Sequence, residues 1–424
     1  MRDACMLLTV LLAVPLSAAA TEPPAPAASL DRALSLPECY VLALKRSETI
    51  AIQQELIRAT EGRFLQAFSG VLPKASFELS DKRQDGSGSS AFTLKDIPER
   101  KFVFSQPLFS GFKEFAALIG ARAERRQRAY EKSRAEQLLF VDVSNAFYLL
   151  LEQRHDIGAL ETIRVALTQR IDELTDRERL GRSRSSEVVS AEAQLRRVEA
   201  EIDSVCGQEV TAAQLLEFLT GLPLVEPLDD TDVSRTDEIR EEAYLGKVDQ
   251  RADVRAAEQA ARVAKQEVTI ARAKFWPTVN AEGNYYTKRV GNASGVDWDV
   301  LLKVDVPIFQ GGEAVGASRE ASAHARQAQL HFDRVQREAR LDIQNAYARW
   351  HAATTKLAAL EKALAAAEDS YRLQVEDYRH SLVNNLEVLQ ALQTLQDARR
   401  DVIHAGYEAK RRYWQLQIAV GETL

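Results

Sequence analysis

Histidine and carboxylate side chains are the residues that could catalyse a reaction or hold a metal, but their spacing in this sequence supports neither use. The six histidines are scattered over 424 residues. His324 and His331 lie seven residues apart, too far for the i, i+4 spacing of a helical metal pair. The sequence contains no GxSxG, HExxH or phosphate-binding loop. We therefore expect a protein that is not an enzyme, with no catalytic residues, no metal site and no cofactor.

The composition indicates long helices. Ala, Leu, Glu, Gln and Arg are abundant, whereas the chain has 19 Gly and 12 Pro. A net charge of −7 gives no basic patch for nucleic acid. With two methionines, the sequence gives no support to a methionine-lined route for copper or silver. Cys39 and Cys206 could form a disulfide or serve as packing residues, and both interpretations stay open.

The first 20 residues have the pattern of a signal peptide. Arg2 precedes an apolar run from Met6 to Leu16, and small residues at 17–20 provide a cleavage site. The run is shorter than the roughly 20 apolar residues that span a bilayer, and no later stretch reaches that length. We expect an exported protein without a helical anchor, whose mature chain begins with a Pro/Ala-rich linker at 21–29.

The mature chain contains an internal sequence duplication. The hexapeptide QPLFSG at 106–111 recurs as VPIFQG at 306–311, an offset of 200 residues (307 minus 107). Residues 142–147 recur as 342–347 at the same offset. Upstream the offset is 204 (277 minus 73), and the shift falls in a Gly/Ser-rich loop at 86–90. One register change inside a loop is what a genuine duplication predicts.

Each repeat is predicted to contain a helix, two strands and a long helical hairpin. Repeat 1 spans 30–222, with strands at about 74–106 and a hairpin at about 112–220. A linker follows at 223–236. Repeat 2 spans 237–424, with strands at about 278–306 and a hairpin at about 312–420. The first helix of each repeat is predicted as one segment, from near Leu36 or Asp237 to the proline before the strands. The long helices, at 112–177 and 313–375, should reach about 95–100 Å at roughly 1.5 Å per residue. The helices alone would also fit an antiparallel coiled-coil rod.

The strands alternate apolar and polar residues, so each presents one apolar and one polar face. An ordinary sheet would place the apolar face on a core, and a membrane barrel would place it on lipid. Four strands cannot close a barrel, but three copies of the chain would supply twelve. The export signal and the duplicated strand pairs favour a shared barrel. The residues expected to face lipid are Phe77, Leu79, Phe102, Phe104, Val279, Tyr285, Trp298, Val300, Leu302 and Val304.

Several short motifs, in order and doubled, resemble the TolC family of outer-membrane efflux proteins over the whole mature length. They include the helix-ending Leu72-Pro73 and Trp276-Pro277, the turns at 107–109 and 307–312, and the segment 386–391. The resemblance implies a mainly α fold in which a homotrimer forms a 12-strand membrane β-barrel on a 12-helix periplasmic barrel. It also implies an efflux channel in the outer membrane of a Gram-negative bacterium, in contact with its lipid, that joins a periplasmic adaptor and an inner-membrane transporter.

The resemblance also places functional residues at the hairpin tips. Glu387 falls at the acidic constriction of the family, and Glu187 and Tyr378 fall where neighbouring hairpins are linked to hold a periplasmic gate shut. Two positions depart from the family. Val383 stands where a basic residue that latches the gate can occur, and Gln390 stands where a second acidic residue can occur. The alternative for each charged position is an ordinary solvated helix surface. The tips, expected to dock the adaptor, contain Leu180, Gly181, Arg182, Ser381, Leu382 and Asn384.

The main alternative is a periplasmic coiled-coil adaptor or scaffold without a pore. Adaptors of such pumps carry one helical hairpin in a compact β domain, whereas this sequence has two hairpins, each preceded by its own strand pair. The difference favours the channel. Drugs, metal ions and secreted polypeptides all stay open as substrates.

Overall fold

The computed structural model describes residues 33–88, 93–223, 227–230, 240–380 and 382–422. The predicted signal peptide, the 21–29 linker, the predicted start of repeat 2 at Asp237 and most of the 223–236 linker lie outside these residues. Among the helices so described, none is long and apolar enough to cross a membrane.

Both repeats have the same order of long elements. The first consists of α1 (Leu36–Arg46), α2 (Glu48–Ser69), β1 (Lys74–Arg83), β2 (Asp96–Ser110), α3 (Lys113–Arg179) and α4 (Ser185–Thr220). The second consists of α5 (Glu241–Leu245), α6 (Ala252–Arg272), β3 (Thr278–Lys288), β4 (Trp298–Asp305), α7 (Glu313–Arg379) and α8 (Asn385–Val420). Short 3₁₀ helices at Val248–Gln250 and Ala273–Phe275 flank α6.

The two hairpins match in length. Helices α3 and α7 have 67 residues each, and α4 and α8 have 36 each. At roughly 1.5 Å per residue, the long helices measure about 100 Å. Helices α4 and α8 both end at a glycine in the left-handed region, Gly221 (φ 78°) and Gly421 (φ 94°), a conformation that ends helices because glycine adopts it without strain.

The first helix, predicted as one segment, is divided at Ser47. The backbone of Ser47 is extended, and its hydroxyl accepts a hydrogen bond from the Ile50 N–H at 3.4 Å, which caps the start of α2. Serine is a preferred N-cap because its oxygen satisfies an N–H that the first helical turn leaves unpaired. Helix α1 can therefore turn away and pack against α3 and α4.

The long helices form a single row. Near the sheet the neighbours are α2–α3–α6–α7, and towards the hairpin tips they are α4–α3–α8–α7. Helix α3 lies inside the row at both levels. Helices α2 and α4 form one edge, and α7 forms the other.

The sheet has the order β1-β2-β3-β4, with all pairs antiparallel. Its central pair, β2–β3, joins the two repeats, and a bulge between Pro107 and Phe109 shifts the register there. Strands β1 and β4 are the edge strands, and they lie on the same two sides as the edges of the helical row, since β1 follows α2 and β4 precedes α7.

One apolar core lies halfway along the hairpins, where α1 packs on α3 and α4. Leu36, Cys39, Phe140, Phe147 and Leu216 are all fully buried there. Cys39 and Cys206 are both free. Burial raises the pKa of the Cys39 thiol to about 12, so this cysteine is a packing residue and not a nucleophile.

Candidate functional site

The residues predicted to face lipid lie on one face of the sheet. The strand register aligns Phe77, Phe102, Tyr285 and Trp298 in one row across all four strands. Nine of the ten predicted side chains are between 42% and 69% exposed, and the tenth, Val279, is partly buried. Within the described part of the chain, no element covers this apolar face.

The opposite face of the sheet is polar and its side chains bond to one another. Asp299 accepts hydrogen bonds from Asn284 Nδ2 and Tyr286 Oη, both at 2.8 Å. Lys101 lies 3.5 Å from the carboxylates of Glu78 and Glu99. A sheet with one exposed apolar face and one charged face suits a boundary between a nonpolar medium and water.

The two tip turns share one backbone hydrogen bond at equivalent positions. In the first, Gly181 has φ 68° and the Arg182 N–H bonds to the Arg177 carbonyl at 2.8 Å. In the second, the Leu382 N–H bonds to the Asp377 carbonyl at 2.9 Å. Leu180, Gly181, Arg182, Leu382 and Asn384 are exposed, whereas Ser381 lies outside the described residues.

Among the described residues, the two predicted gate residues Glu187 and Glu387 each bond within their own tip turn. Glu187 accepts a hydrogen bond from the Ser183 hydroxyl at 2.7 Å, and Glu387 donates its backbone N–H to Asn384 Oδ1 at 3.2 Å. Neither carboxylate forms an ion pair with another described residue. Both are partly buried at the start of their helices, where the positive end of the helix dipole favours an acid.

Tyr378, the third predicted gate residue, is buried in the apolar cluster that joins the two hairpins near their tips. The guanidinium carbons of Arg170 and Arg177 lie 3.9 and 4.6 Å from the centre of its ring. Both arginines belong to α3, so these cation–π contacts hold the end of α7 against the other hairpin.

Arg170 also makes a contact that sequence reasoning missed. Its Nε and Nη2 donate to Asn385 Oδ1 at 2.9 and 2.8 Å, and both residues are buried. A third bond, from Nη1 to Glu173, fixes the guanidinium at 3.0 Å. The bond to Asn385 joins α3 to the first turn of α8. No sequence signal indicates it, because the partners are 215 residues apart and an arginine on a helix is usually solvated.

A second cross-hairpin cluster lies halfway along the helices, between α3 and α8. Arg400 donates to both oxygens of Asp156 at 2.7 and 2.8 Å, and it also pairs with Glu201 of α4. His404 Nδ1 lies 2.5 Å from Glu152 Oε1, and Arg411 bonds to the other oxygen of Glu152. Asp156 and Glu152 are buried, and two arginines and a histidine surround these two carboxylates.

This mid-hairpin cluster shifts two pKa values in opposite directions. The hydrogen bond to Glu152 raises the pKa of His404, although burial opposes the shift. Burial alone would raise the pKa of Glu152, but the hydrogen bonds from His404 and Arg411 together outweigh it and lower the pKa. Both shifts favour the charged forms that hold α3 and α8 together.

Comparison with known proteins gives consistent matches. Residues 248–422 match the family model described as outer membrane efflux protein. Cation efflux system protein CusC of Escherichia coli O157:H7 is 25% identical over 177 residues, which covers 41% of this chain and 38% of that protein. Outer membrane protein TolC of Vibrio cholerae is 22% identical over 345 residues, 77% of each chain.

Solved structures match over nearly the full length. The outer membrane protein VceC of Vibrio cholerae superposes with a TM-score of 0.80 at 21% identity, covering 91% of this chain and 96% of that one. A structure of CusC superposes with a TM-score of 0.79 at 16% identity, covering 92% of each chain. These likenesses show that the helical row with its four-stranded sheet is a known fold.

Proposed function

We propose, from the match of residues 248–422 to the outer membrane efflux proteins, that three copies of this chain form a duct through the outer membrane of a Gram-negative bacterium. The duct would continue into the periplasm as a helical barrel. It would receive its substrate from an inner-membrane transporter, to which a periplasmic adaptor couples it.

The observation that carries the proposal is the uncovered apolar face of the sheet. Fully exposed to water, this face would be a large apolar surface of the kind that marks an interaction site. Lipid is the medium that suits it. In lipid, however, the edge strands β1 and β4 must find partners, because each unpaired backbone group costs several kcal/mol there.

Three copies would satisfy both requirements. If β4 of one copy pairs with β1 of the next, three four-stranded sheets close into a barrel of twelve strands. The same closure brings α7 of one copy beside α2 and α4 of the next, so the helical rows would close into a twelve-helix barrel. The polar sheet face, with Asp299 and Lys101, would then line a water-filled lumen.

The hairpin tips supply a gate in this proposal. Glu187, Tyr378 and Glu387 keep their predicted role there, and the bond between Arg170 and Asn385 adds a clasp between the two hairpins of each copy. Carboxylates near a threefold axis occur three times, and their repulsion favours passage of cations. The exposed tips around Leu180 and Leu382 would dock the adaptor.

Conductance tests the proposal directly. The mature chain should be extracted from membranes in detergent and reconstituted in planar bilayers. Trimer-sized particles with discrete, mostly cation-selective conductance are expected. A chain that stays in solution without detergent and carries no current would refute the duct and support the alternative of a periplasmic scaffold.

A further inference from the structure

Exposed apolar side chains continue from the sheet onto the first turns of α3. After the β2 bulge, Phe109 pairs with Val279 and therefore lies on the apolar face. Its ring contacts that of Phe112 at 5.2 Å, and Phe112, Phe115 and Ile119 follow at helical spacing, all more than half exposed. The apolar surface thus extends about two helical turns beyond the strands.

A second apolar stripe runs beside it on α2. Phe68 and Leu65 are exposed, and the ring of Phe64 stacks on that of Phe68 with centroids 6.4 Å apart. Phe64 and Leu65 of the α2 stripe line a groove between α2 and α3 with a cavity of about 660 Å³, a volume within the range of small-ligand sites. Both stripes end at the same level.

Arginines occupy the place where the two stripes end. Arg122, Arg125 and Arg126 line the groove together with Phe64, Leu65, Ala129 and Glu61. The Arg122 guanidinium carbon lies 5.8 Å from the centre of the Phe64 ring. Arg125 is paired with Glu61 at 2.9 Å. The order along the surface is therefore apolar first and cationic next, moving away from the sheet.

The positive charge of this arginine groove is largely uncompensated. Among the described residues, neither Arg122 nor Arg126 forms an ion pair. An adjoining cavity on the other side of α3, of about 290 Å³, adds Lys265 and Arg262, of which Arg262 is paired with Glu258. An anion at this level would meet at least two unpaired guanidinium groups and one carboxylate, Glu61.

We propose that the arginine groove binds the phosphate headgroup of an anionic phospholipid in the inner leaflet of the membrane. The inference rests on the proposed membrane location of the sheet, which sets the apolar stripes at the depth of the acyl chains. Guanidinium groups hold phosphate through paired N–H donors, and basic side chains just beyond an apolar band attract anionic lipids. The stripes of α2 and α3 supply the contact for the acyl chains.

The second repeat does not reproduce the groove. At the repeat offset of 200, Ser322 and Ala325 correspond to Arg122 and Arg125, and only Arg326 matches an arginine, Arg126. The site therefore occurs once per chain. Arg326 is exposed, which makes it a matched control for a charge removed at the same repeat position.

The test is lipid binding by the detergent-solubilised full chain, measured as lipid adducts in native mass spectrometry. Phosphatidylglycerol, phosphatidylcholine and inorganic phosphate are the three probes. We expect phosphatidylglycerol to bind about tenfold more tightly than phosphatidylcholine, a preference that weakens as salt is raised. Arg122→Gln/Arg126→Gln should lose the preference, Arg126→Gln alone should reduce it, and Arg326→Gln should keep it.

Each contrary result has a distinct meaning. An unchanged preference in the double variant, or in Arg126→Gln if the double variant does not fold, would overturn the assignment of these arginines. Competition by millimolar inorganic phosphate would overturn the lipid as the ligand. Bilayer conductance of the same preparations reports on the duct separately, since a conducting chain without lipid preference refutes the headgroup site alone.

Discussion

At the scale of single residues, the contacts that tie one hairpin to the other include buried polar ones. Arg170 illustrates why such contacts matter. Two N–H groups of its guanidinium donate hydrogen bonds to the side-chain oxygen of Asn385, a residue that is 1% exposed. A buried amide that loses a charged partner retains the full penalty of leaving water. The contact therefore fixes how the two hairpins meet at the tip.

Replacing Arg170 should loosen the tip. Arg170→Met removes both bonds to Asn385 and the cation–π contact with Tyr378, so we expect a loss of about 1.5–3 kcal/mol in unfolding free energy. In bilayers the same variant should conduct more than the wild-type chain. Glu173→Gln is the control, since it removes only the exposed partner of Arg170. Unaltered conductance in a destabilised Arg170→Met variant would show that the contact supports folding but not closure.

His404 should make the mid-hairpin cluster sensitive to pH. Its pKa is raised in the folded chain, so its contribution is complete below the unfolded pKa near 6.5 and is lost as pH rises through the folded value. His404→Gln should therefore lower the unfolding midpoint more at pH 6 than at pH 9. We expect no more than about 1 kcal/mol, because the side chain is 40% exposed and water screens the pair.

His331→Gln provides the comparison for the pH experiment. His331 is exposed on α7, away from the α3–α8 cluster. The difference between pH 6 and pH 9 should vanish in this control and persist for His404→Gln. An equal pH dependence in both variants would rule out a special role for the pairing with Glu152.

At the scale of elements, the two strand-to-helix turns use the same left-handed backbone in different surroundings. Gly111 and Phe112 have φ values of 65° and 64°, and their counterparts Gly311 and Gly312 have 60° and 90°. A Cβ on Gly111 would lie 2.8 Å from the Ala273 carbonyl and 2.9 Å from the Trp276 Cβ, whereas a Cβ on Gly311 meets nothing within 4 Å. The first turn is thus pressed against the α6–β3 junction.

Alanine substitutions in these two turns can distinguish the cost of backbone strain from the cost of steric crowding. Gly311→Ala should lower the unfolding free energy by about 1–2 kcal/mol, the strain of a left-handed alanine. Gly111→Ala carries the same strain and must also displace backbone atoms, so we expect a further loss of roughly 1–3 kcal/mol. Urea unfolding of both variants measures the difference. Equal losses would mean that the junction moves aside at no cost.

Regular elements were predictable from the sequence because their signals are local. The repeat offset and the prolines located the hairpins, and alternation identified the strands, as at Val300 and Leu302. Ser47 also carried an N-cap signal, followed by Glu48, which the single-helix prediction overlooked. The bond between Arg170 and Asn385 could not be predicted, because it depends on how two helices pack and no local pattern records that.

At the scale of the whole molecule, the apolar sheet face should decide whether the chain enters a membrane. Leu302→Lys places a charge on that face and should cost about 2 kcal/mol or more near the middle of the bilayer. Leu301→Lys is the matched control, because Leu301 is similarly exposed but lies on the polar face opposite Glu282. The fraction of each variant recovered in outer membranes is the measurement. Equal recovery would contradict a lipid-facing assignment of Leu302.

The pairing of β2 with β3 has a consequence for how the chain matures. Partners such as Ser110 and Thr278 are separated by more than 160 residues, including the whole first hairpin. Loop-closure entropy delays contacts of such high sequence separation, whereas the hairpins are local and fold early. Between these stages β1 and β2 stand as an incomplete ribbon with an apolar side, which is prone to aggregation. Biogenesis should therefore require a holding chaperone until repeat 2 has been exported.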